Sequence, residues 1–278
     1  MPKLRRTAAL MALAALWLLV PAPGQATVLK VGGTGAALGT MRLLCNAFSR
    51  LHPDVTVEIP NSLGSGGGIQ AVLHGAVDIA LSARPLKERE RAAGARELPY
   101  ARTPFILYTS RRHPEITLTR AEVVEIFTGH GPTWPDGTPI RVILRPEKDS
   151  DTDMLTANFP GMDGALKIAR ISRGAPTAYS DQDAMDLAER APGSVSTGTL
   201  TAVIAEKRPL KGIPIDGVAP SVANLENGSY TLAKTLSFVT GPEPSEMVND
   251  FIRFVNSAEG AAVLRGTGNL PLPSDRQK

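Results

Sequence analysis

The sequence has 278 residues and a single cysteine, Cys45, so no intrachain disulfide can brace the fold. Cys45 stands at helical spacing with Leu38, Met41, Leu44 and Phe48. It therefore reads as a small core residue on a first helix. The four histidines, His52, His74, His113 and His130, are scattered without metal-ligand spacing, and no metal site or cofactor is expected. No Ser–His–Asp grouping, HExxH motif or pair of catalytic carboxylates stands out, which makes an exported hydrolase the weakest of the functional classes. Tandem repeats and low-complexity tracts are missing too, and a structural or adhesive role would predict repeats or a surface anchor, neither of which is visible. The hydrophobic content of 42%, with only 5% aromatic, still suffices for one large domain or two lobes of ordinary size.

A strongly basic folded domain is absent as well. Lys3, Arg5 and Arg6 precede an apolar run at residues 8–20, which Pro21 and Pro23 break. Gly24-Gln25-Ala26 then offers small residues where a signal peptidase reads. This pattern predicts a secretory signal peptide over 1–26, cut after Ala26, and a soluble periplasmic protein beginning at Thr27. The apolar run is short for a membrane span. The cut carries no Cys for lipidation. Removing 1–26 takes away three cations and no anion, so the net charge of +3 falls to zero. A nucleic-acid binder, with its basic stripe, is excluded on that ground.

The rest of the chain alternates strand and helix signals. Strands are predicted at 28–31, 55–59, 77–81 and 105–108, with helices at 38–51, 69–74 and 87–96, and a turn at Gly64–Gly68. This rhythm implies an α/β fold with a largely parallel sheet. A second run starts at Thr119, where Thr119-Arg120-Ala121-Glu122 is a capping-box pattern opening a helix to Phe127. A strand at 140–144, helices from Ser150 and over 181–189, a strand at 235–239 and amphipathic helices at 246–255 and 258–264 complete the reading. Ligands of open α/β sheets bind where strand ends enter helices, which directs attention to loops 32–37, 64–68, 82–84 and 145–152.

Gly64-Ser65-Gly66-Gly67-Gly68 follows a strand and precedes a helix. Glycines let backbone N–H groups approach an anion, the helix start adds partial positive charge, and Ser65 offers a hydroxyl. A flexible linker is the alternative reading of this loop alone. No Gly-Lys-Ser/Thr follows, so it is not a Walker A loop. The first loop, Gly32-Gly33-Thr34-Gly35-Ala36, has the same setting and fails as a dinucleotide fingerprint.

Several segments taken together resemble a known family. They are Leu63-Gly64-Ser65-Gly66-Gly67-Gly68-Ile69, Val77-Asp78-Ile79-Ala80-Leu81-Ser82-Ala83-Arg84-Pro85-Leu86, Ile126-Phe127-Thr128-Gly129 with Trp134-Pro135-Asp136-Gly137, Ala191-Pro192-Gly193-Ser194-Val195, and Ile215-Asp216-Gly217-Val218. With the closing stretch 251–268 they resemble the phosphate-binding proteins of phosphate ABC importers. The resemblance implies a two-lobed periplasmic binding protein type II fold with a ligand cleft between lobes. Lobe 1 would comprise 27–108 with 237–278, and lobe 2 residues 109–236. The chain would cross between them near Leu107–Thr109 and again near Leu236–Val239. It also implies a monomer that binds a small oxyanion such as phosphate and serves an inner-membrane ABC permease, with no enzymatic step.

Carried over residue by residue, the resemblance implies ligand contacts from Ser65 and Gly66, from the backbone of Ala36 and Ala37, and from Ser150 and Thr152. Arg145 looks like the partner arginine, displaced by one residue, and Arg84 is placed to add positive charge. Three positions depart from the family pattern. Asp151 stands where the family has a glycine, Ala83 where several members have an acid, and Lys148 where an acid precedes the Ser-x-Thr triplet. Asp151 is read as a replacement acceptor for a ligand proton. Ser150 with Asp153 reads as a helix-capping box, and Asp78 as structural. A receptor of this kind for a different ligand, feeding a sensor, remains the main alternative.

Overall fold

The computed structural model describes residues 27–172 and 174–273. The predicted signal peptide lies outside the described residues. Strand β1 (Thr27–Gly33) leads into helix α1 (Gly35–Leu51), then β2 (Val55–Glu58), α2 (Gly64–Leu73), β3 (Ile79–Ser82), α3 (Glu88–Ala92) and the long β4 (Arg96–Ser110). There follow α4 (Arg120–Thr128), β5 (Arg141–Val142), α5 (Ser150–Asn158), α6 (Met162–Ile171), α7 (Asp181–Arg190), β6 (Ser194–Thr199), α8 (Leu200–Ala205) and β7 (Leu210–Gly212). The chain ends through α9 (Val222–Glu226), β8 (Ala233–Thr240), α10 (Glu246–Val255), α11 (Ala258–Gly266) and β9 (Leu270–Pro271).

The strands lie in the order β2-β1-β3-β8-β4-β6-β5, with β7 and β9 also paired to β4. Pairing is parallel for β1 with β2 and β3, and for β5 with β6. Wherever β4 or β8 takes part it is antiparallel. The expected largely parallel sheet is thus confined to the two flanks. The middle is mixed because β4 and β8 carry the chain out of one half and back into it, in opposite directions.

Each half is a sheet covered by helices on both faces. In the first half Ile79 and Leu81 of β3 pack with Met41, Leu44, Cys45 and Phe48 of α1 and with Phe251 of α10, while Ala80 faces Ile69 and Val72 of α2. In the second, Phe105 and Leu107 of β4 pack with Val123, Phe127 and Phe159, while Ile106 and Tyr108 face Met185 and Val203. This is the two-residue period of a strand buried on both faces. Burial pushes the Cys45 thiol up to about 12, in keeping with a core residue. On β4 the core changes between Ala101 and Phe105, and at the start of β8 between Leu232, just before the strand, and Leu236 within it. Leu107, at the start of the expected crossing Leu107–Thr109, packs inside the second core.

Two local differences from the sequence reading bear on the cleft. Gly64–Gly68 is the first turn of α2 rather than a separate turn before it. The run of glycines admits a close approach to β1: a Cβ on Gly68 would sit 2.6 Å from the Gly33 Cα. The cap of α5 is Asp149 and not Ser150, since the Asp149 carboxylate accepts from the Asp151 N–H. A carboxylate reaches an N–H two residues on more readily than a hydroxyl does, and is the stronger acceptor.

Candidate functional site

A cavity of about 940 Å³ opens between the two halves. The first half lines it with Thr34, with Gly64 to Gly67 of α2, and with Arg84, Lys87 and Glu90. The second half lines it with Pro146, Lys148, Asp149, Ser150, Tyr179 and Asp181. Thr34 is the N-cap of α1, Gly64 the first residue of α2, Asp149 the N-cap of α5, and Asp181 the first residue of α7. Four helices of nine or more residues therefore turn their N-termini toward one space. The partial positive charge at those termini suits an anion, although one first-turn N–H in each helix is already bonded within the protein.

Hydroxyls supplement those termini, and the geometry fixes which way they donate. The Ser65 oxygen accepts from the Ala83 N–H at 3.0 Å, and the Ser150 oxygen accepts from the Lys234 ammonium at 2.8 Å. A hydroxyl has one proton, and neither bond consumes it. Both protons are left for an acceptor in the cavity.

Charged groups form two sets. Arg84 makes a two-bonded pair with buried Glu90, at 2.8 and 2.9 Å, and also donates to the Pro85 carbonyl. The hydrogen bond from Arg84 holds the Glu90 carboxyl below its ordinary value despite partial desolvation. In the second half buried Arg145 lies 2.9 Å from Asp149, 3.6 Å from Asp181 and 3.9 Å from Asp151, and donates to the Ser180 carbonyl. Asp151 is fully buried, bonded to Lys234 and to the Thr197 hydroxyl at 3.0 Å. Burial works against its charge, yet Lys234 and Arg145 keep its carboxyl below the ordinary value. Asp181 goes the other way: burial lifts its carboxyl to about 6 against the pull of Arg145.

Among the residues expected at the site, Ser65, Gly66, Arg84 and Ser150 line the cavity. Five others are placed elsewhere. Ala36 and Ala37 do not line the cavity themselves: they are buried in the first turn of α1, where the Ala37 N–H bonds the Thr34 carbonyl. The Thr152 hydroxyl is spent on the Pro146 carbonyl at 2.9 Å. Arg145 lies behind the wall, held by its carboxylates. The Asp151 N–H, expected to face a ligand, is taken by Asp149 at 2.8 Å, and its carboxylate turns inward to Lys234. The Asp151 oxygens, read from the sequence as acceptors for a ligand proton, are bonded to Lys234 and Thr197.

Three residues at or beneath the cavity escaped the sequence reading. Thr34 stands at a strand-to-helix junction, and its hydroxyl residue type at an N-cap was the available signal. Asp181 follows Ser180, whose capping box with Asp183 marks a helix start. Lys234 is the second residue of β8, with no local pattern to announce it.

Compared with known proteins, the chain matches the PBP superfamily domain over residues 20–259. It is 26% identical to protein SphX of Synechococcus elongatus, over 98% of this chain and 87% of that protein. It is 22% identical to the phosphate-binding protein PstS of Bacillus subtilis, over 88% of this chain and 80% of the relative. A Clostridium perfringens protein solved with bound phosphate superposes with a TM-score of 0.77 at 23% identity, covering 88% of this chain and all of that one.

Proposed function

The chain belongs to the PBP superfamily, and on that footing we propose that it is an exported receptor for phosphate or a closely related small oxyanion, which it delivers to an inner-membrane ABC permease. The observation that carries this reading is the convergence of four helix N-termini on one cavity, with the Ser65 and Ser150 protons free to donate into it. Backbone dipoles and hydroxyls solvate an anion without the desolvation cost of a buried lone cation. The relatives named for phosphate, and the phosphate-bound structural neighbour, support the same ligand class.

The cavity is not a basic funnel. Four cationic side chains line it, Arg84, Lys87, Arg89 and Lys148, against three carboxylates, Glu90, Asp149 and Asp181. A carboxylate at an anion site suits a ligand that carries a proton to donate, as hydrogen phosphate does and sulfate does not. Asp181 is the candidate for that acceptor. The protein works by capture and release, as a monomer in the periplasm, with no catalytic step.

A thermal-shift panel on purified residues 27–278 tests the reading. Phosphate and arsenate at a hundred times their dissociation constants should stabilise by about 2.7 kcal/mol. Sulfate and small organic acids should shift the protein little. A shift with an organic acid and none with phosphate would move the protein to the receptor class with a different ligand.

A further inference from the structure

Lys234 lies in the strand that returns the chain to the first half, paired in register with Thr103 of β4. It is buried. A buried ammonium persists only when paired and hydrogen-bonded. Its partners are the Asp151 carboxylate, the Ser150 hydroxyl oxygen at 2.8 Å and the face of the Phe105 ring at 5.5 Å. The second Asp151 oxygen accepts from Thr197.

An ammonium only donates, so Ser150 can only accept from it. The Ser150 proton must then point to another acceptor, and Ser150 lines the cavity. The cation beneath the hydroxyl also makes it a stronger donor. From the sequence, a carboxylate one residue after Ser150 would repel an anion. In the fold, Lys234 answers that charge from a distant strand, so the pair adds direction to Ser150 without adding net charge.

We infer that Lys234 is a positioning residue, which aims the Ser150 hydroxyl into the cleft as an anion donor, with Asp151 as its counterion. This rests on the oxyanion reading of the cleft. It goes beyond that reading in giving a binding role to two residues that do not line the cavity.

The test is a coupling measurement by titration calorimetry with inorganic phosphate. The proteins are wild type, Ser150→Ala, the paired variant Asp151→Asn/Lys234→Met, and the triple variant. Changing the pair together leaves no buried charge unpaired. Ser150→Ala and the paired variant should each weaken phosphate binding about ten- to a hundred-fold. The triple variant should bind within about threefold of Ser150→Ala, since one donor is lost in every case. Losses that multiply, or a paired variant with wild-type affinity, would overturn the inference.

Lys234→Arg gives a second route if the paired variant folds poorly. It keeps the buried cation but moves its donors. It should weaken phosphate binding, and adding Ser150→Ala to it should cost no more than about threefold. A full Ser150→Ala effect in that background would be the contrary result. A wild-type protein that binds sulfate and not phosphate would defeat the phosphate reading alone, and the same cycle read with sulfate would still decide the role of Lys234. A wild type that binds neither defeats both.

Discussion

Arg84 and Arg145 look interchangeable in the sequence, as two arginines in cleft loops, but their surroundings separate them. Arg145 is buried among three carboxylates, so Arg145→Ala should cost about 3–5 kcal/mol of stability, measured by urea unfolding. Arg84 meets one buried carboxylate, Glu90, and Arg84→Ala/Glu90→Gln should recover much of the stability that Arg84→Ala loses. Asp181 predicts a pH effect. Its folded value of about 6 lies above the ordinary 3.8, so the folded protein binds that proton more tightly than the unfolded chain does. Its contribution favours the fold below the ordinary value and declines as pH rises through about 6. In the cleft, the ionised form accepts a ligand proton and the protonated form does not repel sulfate. Phosphate changes its own charge over this range, so the comparison is between proteins: preference for phosphate over sulfate, read by calorimetry between pH 5 and 8, should rise more steeply across about pH 6 in wild type than in Asp181→Asn. An identical rise in both proteins would remove Asp181 from the site. At this scale the glycine-rich run pointed to Ser65, and the family resemblance to Gly66, Arg84 and Ser150, all four of which line the cavity. Lys234 was not readable, because its role comes from a partner far off in sequence.

Among the elements, those with explicit end signals were the legible ones. The Thr119 capping box opens α4 and the left-handed Gly129 closes it, and α10 spans the predicted 246–255. Strand β6 went unseen because its sequence, Ser194-Val195-Ser196-Thr197-Gly198-Thr199, shows no apolar alternation although every residue is buried. Its hydroxyls find partners instead: Ser194 donates to the Ala188 carbonyl, Thr197 to Asp151 and Thr199 to the Ala36 carbonyl. Only the folded chain supplies those partners. The same holds for α2, whose glycines read as a turn until β1 lies against them. Gly68→Ala should force α2 away from β1 and destabilise by about 1–3 kcal/mol, measured by thermal or urea unfolding. It should weaken phosphate binding as well, because Ser65 rides on the displaced turn. A variant with unchanged stability and affinity would show that the contact yields freely.

In the molecule as a whole, two covered sheets share the 15-residue β4, which at about 3.3 Å per residue reaches across both. That sharing places the N-termini of α1 and α2 opposite those of α5 and α7 across one cavity. The α/β class and the two halves follow from the alternating signals and the family resemblance. The mixed pairing in the middle does not, because strand direction depends on where the chain returns. The most direct measurement is a calorimetric titration of residues 27–278 with inorganic phosphate, wild type beside Ser65→Ala/Ser150→Ala. Capture in the cleft predicts one phosphate per chain in wild type and at least a hundred-fold loss in the double variant, with the fold intact by circular dichroism. No binding in wild type, or equal affinity in both proteins, would contradict it.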